Sequence, residues 1–141
     1  AVDGGLVPLY TDRALFDILL QNLTSNAVKY TPENGQVSVI VDVLGAREQW
    51  GGRDIVQESV VVSVSDTGFG IPLEARDRIF SRLFRAKNAM AKGIPGNGLG
   101  LYLVHLIVEK LGGQIWFETE DGKGTTFYFA IPYVLVQKEK K

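Results

Sequence analysis

Asp66-Thr67-Gly68-Phe69-Gly70-Ile71-Pro72 follows Val60 to Val64, a β-branched run that reads as a buried strand ending at Ser65-Asp66. Asp66 thus puts a carboxylate at the end of an apolar strand, where it can accept a hydrogen bond from an amine. Gly68 and Gly70 remove side chains, permitting a sharp turn and close approach of a ligand to the backbone. Taken alone, the same residues also describe an ordinary strand-to-helix turn with Asp66 as a local cap. Pro72 and Leu73 open a helix predicted to reach about Phe84.

Upstream, Leu6 to Tyr10 reads as a short strand. Thr11 or Asp12 can cap a helix running to about Tyr30, ended by Pro32 and the Glu33-Asn34-Gly35 turn. Asn22, Asn26, Lys29 and Tyr30 share a face of that helix. Leu15 and Leu19 each precede one of the asparagines by seven residues, so the polar stripe continues an edge of the apolar face. A buried, unsatisfied amide would cost about 1–3 kcal/mol. Two kinds of partner fit: carbonyls of a neighbouring loop, or a ligand or hydrated metal ion. Mg²⁺ takes amide oxygens and keeps several waters. Val37, Val39 and Val41 alternate with Ser38, Ile40 and Asp42, which reads as a strand, and Gly45 to Glu58, polar and containing Gly51-Gly52, reads as a hairpin loop of variable order.

Downstream, Gly96-Asn97-Gly98-Leu99-Gly100-Leu101 runs into an apolar helix, Leu99 to Leu111, stopped by Gly112-Gly113. Free N–H groups at a helix start bind anions, and glycines let a phosphate approach them. No Gly-Lys-Ser/Thr follows, so this is not a Walker A loop. The spacing is not that of a dinucleotide fingerprint either. Leu99 and Leu101 read as core residues. Phe80 and Phe84 share a face and read as packing, Arg82 and Arg85 can fork onto a phosphate, and Arg76 and Arg78 read as solvated charges. Residues 85–98 read as a loop. Gln114 to Thr119 and Thr125 to Pro132 form a closing hairpin. This order predicts one domain, residues 1–141: an α/β two-layer sandwich with helices on one face of a mixed, mostly antiparallel sheet.

The 141 residues suit a single core, and a net charge of −1 offers no field for nucleic acid or an anionic membrane. The absence of cysteine excludes disulfides and thiolate metal sites. No apolar run is long enough to span a bilayer.

The ordered set of motifs resembles sensor histidine kinases. Asn22-Leu-Thr-Ser-Asn26-Ala-Val-Lys29-Tyr30 resembles their N box, and Asp66-Thr-Gly68-Phe-Gly70-Ile71-Pro their G1 box. Ile79-Phe80-Ser-Arg-Leu-Phe84-Arg85 resembles the F box, Gly96 to Leu101 the G2 box, and Gly122-Lys-Gly124-Thr125-Thr126-Phe the final glycine-threonine motif. The resemblance implies the Bergerat fold of the GHKL ATP-binding superfamily. It implies that Asn22 and Asn26 hold Mg²⁺, Lys29 contacts phosphate, and Tyr30 packs beside adenine. Asp66 would take the adenine amino group, with Gly68, Gly70 and Ile71 shaping that pocket and Thr126 supporting it. Residues 85–98 would form the ATP lid. Gly96, Gly98, Leu99, Gly100 and Leu101 would line the phosphate end, and Arg85 would meet the γ-phosphate. Ser81 and Leu83 depart from the family, which often has an acidic residue and an aromatic there, and the loop of residues 45–58 is longer than the family needs.

In the ATP-hydrolysing relatives, such as gyrase and MutL, a glutamate near the Asn22 position is the general base. An amide cannot take that proton, which favours transfer to a protein side chain over hydrolysis. The sole histidine, His105, lies in the apolar helix and reads as a packing or surface residue. The resemblance therefore implies an ATP–Mg²⁺-dependent histidine kinase domain whose acceptor histidine sits on a separate dimerisation and phosphotransfer domain, expected on the N-terminal side of Ala1. A response regulator would follow as acceptor. The expected setting is cytoplasmic, in a parent protein that a membrane can anchor. Two other readings share the fold: a serine kinase of the anti-sigma-factor type, and a non-catalytic nucleotide-binding module.

Overall fold

A computed structural model of the protein describes residues 9, 10, 12–82 and 100–135. Its elements are β1 (Leu9–Tyr10), α1 (Arg13–Lys29), β2 (Val37–Leu44), β3 (Gln49–Trp50), β4 (Arg53–Asp54), β5 (Ser59–Asp66), a 3₁₀ turn (Leu73–Ala75), α2 (Gly100–Lys110), β6 (Gln114–Glu120), β7 (Gly124–Pro132) and β8 (Val134–Leu135). β2, β5, β7 and β6 form, in that order, the four-stranded sheet. Every strand pairing among the described residues is antiparallel. The sheet carries α1 and α2 on one face, which is the expected two-layer sandwich.

The β-branched run of β5 is buried because it is a central strand covered on both faces. Val60, Val62 and Val64 point to the helices and meet Leu19, Leu23 and Ala27 of α1, Val104, Ile107 and Val108 of α2, and Phe127, Phe129 and Ile131 of β7. Asp12 caps α1 by accepting the Leu15 N–H at 3.1 Å. The last turn of α2 closes as the sequence predicts. Gly112 takes φ +71°, and the Gly113 N–H donates to the Val108 carbonyl at 2.9 Å.

Two expectations need correction. The helix predicted from Leu73 to about Phe84 is not formed over its described part. Residues 73–75 make a 3₁₀ turn, and the N–H groups of Ala75, Arg76, Arg78 and Ser81 each donate to a carbonyl three residues back. Pro72 has no side-chain acceptor to cap the free N–H groups, and three-residue turns suffice to bury Ala75 and Ile79. Phe80 still packs in the core, against Phe117, Phe127 and the His105 ring. Phe84 lies outside the described residues.

The polar loop of residues 45–58 is a folded hairpin. Gly51 and Gly52 both have positive φ, as a tight two-residue turn between β3 and β4 requires. The hairpin covers the sheet face opposite the helices, where Ile55, Val61, Trp116 and Ala130 form a second buried cluster with Trp50 and Tyr128 against it. The Trp116 indole N–H donates to the Gly51 carbonyl and the Trp50 indole N–H to the Val62 carbonyl, each at 3.2 Å.

Candidate nucleotide site

The polar stripe of α1 lies beside the start of α2. Asn22 and Asn26 are half-buried. The Asn22 Nδ2 donates to the Ile18 carbonyl one turn back at 2.8 Å, which leaves Oδ1 for an outside partner. A Cβ added at Gly100 would lie 3.3 Å from Asn22 Oδ1 and 4.0 Å from both terminal amide atoms of Asn26. Glycine at the head of α2 thus lets the helix start approach the paired amides. The N–H groups there have no partner within their own helix, so amide oxygens and backbone donors sit together. Lys29 is exposed in the last turn of α1, and Leu101 packs its side chain against the core.

The second half of the site is built around Asp66. Its Oδ1 accepts the Gly68 N–H at 2.9 Å and the Thr125 N–H at 3.3 Å. Burial raises the Asp66 carboxyl above the ordinary aspartate range, against the lowering pull of those two bonds. Oδ2 takes no hydrogen bond from the described residues and is left to accept from a ligand.

The glycines here answer to close contacts. A Cβ on Gly68 would stand 2.2 Å from the Tyr30 carbonyl oxygen, so the turn presses on the end of α1. Gly70 has φ +73°, and a Cβ there would meet the Glu120 carbonyl at 2.3 Å. The Gly122 N–H donates to the Phe69 carbonyl at 2.8 Å, and the Phe69 ring meets Tyr30 edge-on. The Asp66 turn is therefore gripped between α1 and the β6–β7 turn. Ile71 is held at both ends of its backbone: its N–H donates to Thr119 Oγ1 at 2.9 Å, and its carbonyl accepts from Arg76 Nε at 3.2 Å. Arg76, expected to be a solvated charge, is thus part of the turn.

The structure brings Asn22 and Asn26 beside Gly100, and gathers Tyr30, Asp66, Gly68, Gly70 and Ile71 at the C-terminal end of α1, one turn beyond Asn26. It does not bring the Thr126 hydroxyl to Asp66. Thr126 Oγ1 pairs with Ser65 Oγ at 2.8 Å on the opposite sheet face, because neighbouring residues of a strand point to opposite faces. The residue that meets Asp66 across the ladder is Thr125, a member of the glycine-threonine motif to which the sequence pattern gave no role of its own. Strand parity carries the signal: Asp66 pairs with Thr125, and Thr125 shares its face with the core residues Phe127 and Phe129. Arg85, Gly96, Gly98 and Leu99, with all of residues 85–98, lie outside the described residues.

The family model of histidine kinase-, DNA gyrase B-, and HSP90-like ATPases matches residues 11–135, so the chain belongs to that family. Among curated relatives, the sensor histidine kinase WalK of Bacillus subtilis is 37% identical over 86% of this chain and 18% of its own length. The adaptive-response sensory kinase SasA of Gloeothece citriformis is 40% identical over 90% of this chain and 29% of its own length. The chain thus spans under a third of either relative. Among solved structures, the mycobacterial sensor histidine kinase MprB superposes with TM-score 0.73 at 26% identity, over 92% of this chain and 81% of that one. Full-length ShkA, solved in complex with AMPPNP, superposes with TM-score 0.72 at 28% identity, over 94% of this chain and 24% of that one.

Proposed function

We propose that the chain binds ATP–Mg²⁺ and donates the γ-phosphoryl group to a histidine on a separate phosphotransfer domain. The observation that carries this reading is that paired amides beside a helix start lie within about two turns of the C-terminal end of α1, where a partly buried carboxylate has one oxygen that takes no hydrogen bond from the described residues. Such an arrangement suits an elongated ligand with an amine-bearing base and an anionic tail. Two half-buried amides, one whose Oδ1 takes no hydrogen bond from the described residues, fit a hard oxygen-seeking cation. Asn22 and Asn26 would hold Mg²⁺, which neutralises charge on the transferring phosphoryl group.

Asp66 Oδ2 accepts from the adenine amine, with Gly68 and Gly70 permitting the approach. Tyr30 and Ile71 flank the base, and Lys29 reaches toward phosphate. The Gly100 N–H completes the phosphate end. Roles for Arg85, Gly96, Gly98 and Leu99 rest on the sequence pattern alone. Asn22 has no basic lone pair to take a proton from water, so the site favours transfer over hydrolysis. His105 is no acceptor in this reading. Its ring stacks on Phe80, and its Nε2 lies 3.1 Å from Glu109. The partners are the phosphotransfer domain and then a response regulator, in a cytoplasmic setting.

The test is calorimetric titration with ATP–Mg²⁺, followed by labelling of an added histidine phosphotransfer domain or an added serine-bearing substrate protein. Binding and label on histidine support the proposal. Label on serine alone reassigns the acceptor, and absence of binding by the folded chain overturns the nucleotide reading.

A further inference from the structure

β2 is an edge strand: among the described residues only β5 pairs with it. Two bonds fix which way its backbone faces. The Thr67 N–H donates to the Gln36 carbonyl at 3.0 Å, one rung before Val37 meets Asp66, so even-numbered residues of this strand turn their backbone groups to β5. The Val43 N–H goes instead to the Asp42 carboxylate of its own strand, at 2.8 Å. Val37, Val39, Val41 and Val43 therefore turn their N–H and C=O groups to the open edge. Their side chains stand on the helix face, opposite Asp66, Val64, Val62 and Val60, yet the helices leave them 37–59% exposed. An apolar edge of this length, with one charge and no proline, is a template for another strand.

The order of side chains along β2 selects that strand. Val37-Ser38-Val39-Ile40-Val41-Asp42-Val43 has the same polarity read from either end, with a hydroxyl on one side of Ile40 and a carboxylate on the other. Against a second copy running antiparallel, with Ile40 opposite its own image, Val37 meets Val43, Val39 meets Val41 and Ser38 meets Asp42. The outward backbone groups of the valines then fall in the hydrogen-bonded rungs. Ser38 and Asp42 fall in the other kind, where facing side chains stand closest and the hydroxyl can donate to the carboxylate. Asp42 exchanges the Val43 N–H for that hydroxyl, and the freed N–H donates to the Val37 carbonyl across the joint. Other axes serve worse. One at Val41 sets the carboxylate against Ile40, one at Asp42 sets it against itself, and one at Val39 sets Ser38 against Ile40 and runs Val43 past the strand end. β5 and its image would lie three strand spacings apart, about 14 Å. Packed helices need about 8–10 Å, so α1 and its image clear each other.

We propose that β2 is a self-association edge, through which two copies of this chain pair about a two-fold axis at Ile40 and join their four-stranded sheets into one. The valines form a continuous apolar stripe across the joint, and the two Ser38–Asp42 pairs set the register. The inference is independent of the nucleotide reading, since no residue of β2 belongs to that site.

The experiment is sedimentation equilibrium of the nucleotide-free chain over a concentration series, with urea unfolding of each variant read alongside. The wild type should dimerise weakly, because a strand edge is smaller than a standard interface. Val41→Lys sets a charge in the valine stripe and should leave monomer. Ser38→Asp faces carboxylate with carboxylate at both symmetric rungs and should weaken the dimer about two- to thirty-fold. Adding Asp42→Lys to Ser38→Asp reverses the pair and should restore the dimer. A wild type that stays monomeric to about 1 mM overturns the proposal, as does a dimer that Val41→Lys leaves intact. Failure of the double variant to recover overturns the pairing about Ile40, and the proposal with it. If Val41→Lys does not fold, Val39→Lys, at the same kind of rung, is read by the same criterion.

Discussion

Asp66 Oδ1 accepts the Thr125 backbone N–H at 3.3 Å, across the rung of the β5–β7 ladder where the two residues face each other. This bond ties the candidate base acceptor to the strand that follows the β6–β7 turn. Gly124 makes the contact possible, since a Cβ there would stand 2.1 Å from the Asp66 carbonyl oxygen. The carboxylate is thus positioned by backbone donors, and its second oxygen takes no hydrogen bond from the described residues.

Asp66→Asn separates the fold from the site. Burial raises the Asp66 carboxyl above the ordinary aspartate range, so its contribution to native stability is full below that range and is lost as pH rises through the raised value. At neutral pH the native state carries a partly desolvated charge. Asparagine keeps an oxygen for the Gly68 and Thr125 N–H groups and removes the charge. Unfolding in urea at pH 7 should find the nucleotide-free variant at least as stable as the wild type, with its advantage shrinking as pH falls through the raised native value and fully gone below the ordinary aspartate range. ADP affinity should drop about ten- to hundred-fold, because an amide N–H₂ then faces the base amine.

Residue spacing made much of this site legible. Asn22, Asn26 and Tyr30 fall on one face of any helix through them, and paired glycines after a buried strand mark a tight turn. What stayed hidden depends on contacts distant in sequence. Thr119 is one hydroxyl in a polar strand end until β7 and the Asp66 turn arrive beside it. Thr126 and Thr125 differ by one step, and only the register shows which faces Asp66. Ala75 and Ile79, four apart, suggest an α-helix, yet three-residue turns bury both. The hairpin at residues 49–54 had a usable signal in Gly51-Gly52 between Trp50 and Arg53. What the hairpin covers could be known only once the sheet's second face was in view.

That second face should matter for stability and leave the site alone. Ile55 is 1% exposed and anchors the hairpin over Val61 and Trp116. Ile55→Ala should destabilise the chain by about 2–5 kcal/mol, as large-to-small core changes do. ADP affinity, measured where the variant is folded, should stay within about twofold of wild type. Denaturant unfolding and calorimetry check the two halves, and a large loss of affinity would mean that the hairpin supports the site directly.

Tyr133 offers an alkaline test of the same hairpin's far end. Its hydroxyl donates to Glu58 Oε1 at 2.6 Å. Burial first, then the Glu58 hydrogen bond and charge, push its pKa up to about 12. The native state therefore holds this proton more tightly than the unfolded chain. The resulting stability is complete below the ordinary tyrosine value of about 10 and is lost as pH rises toward the native one. Urea midpoints from pH 9 to 12 should fall less steeply for Tyr133→Phe than for wild type. Tyr133→Phe should also start about 1 kcal/mol lower at pH 9, the worth of one hydrogen bond.

Gly100→Ala tests the other end of the site. The added Cβ would lie 3.3 Å from Asn22 Oδ1, tighter than ordinary contact, so the amide oxygen or the head of α2 has to shift. Alanine is the better helix former, by up to about 1 kcal/mol, so the nucleotide-free variant should melt no lower than wild type. If Asn22 and Asn26 hold the cation that accompanies the phosphates, the loss should appear in the metal-dependent part of binding. ADP titrations with Mg²⁺ should weaken about tenfold, while titrations with a chelator in place of Mg²⁺ change little. An equal loss in both would place the defect in the helix start and its N–H groups, and unchanged binding in both would remove the paired amides from the site.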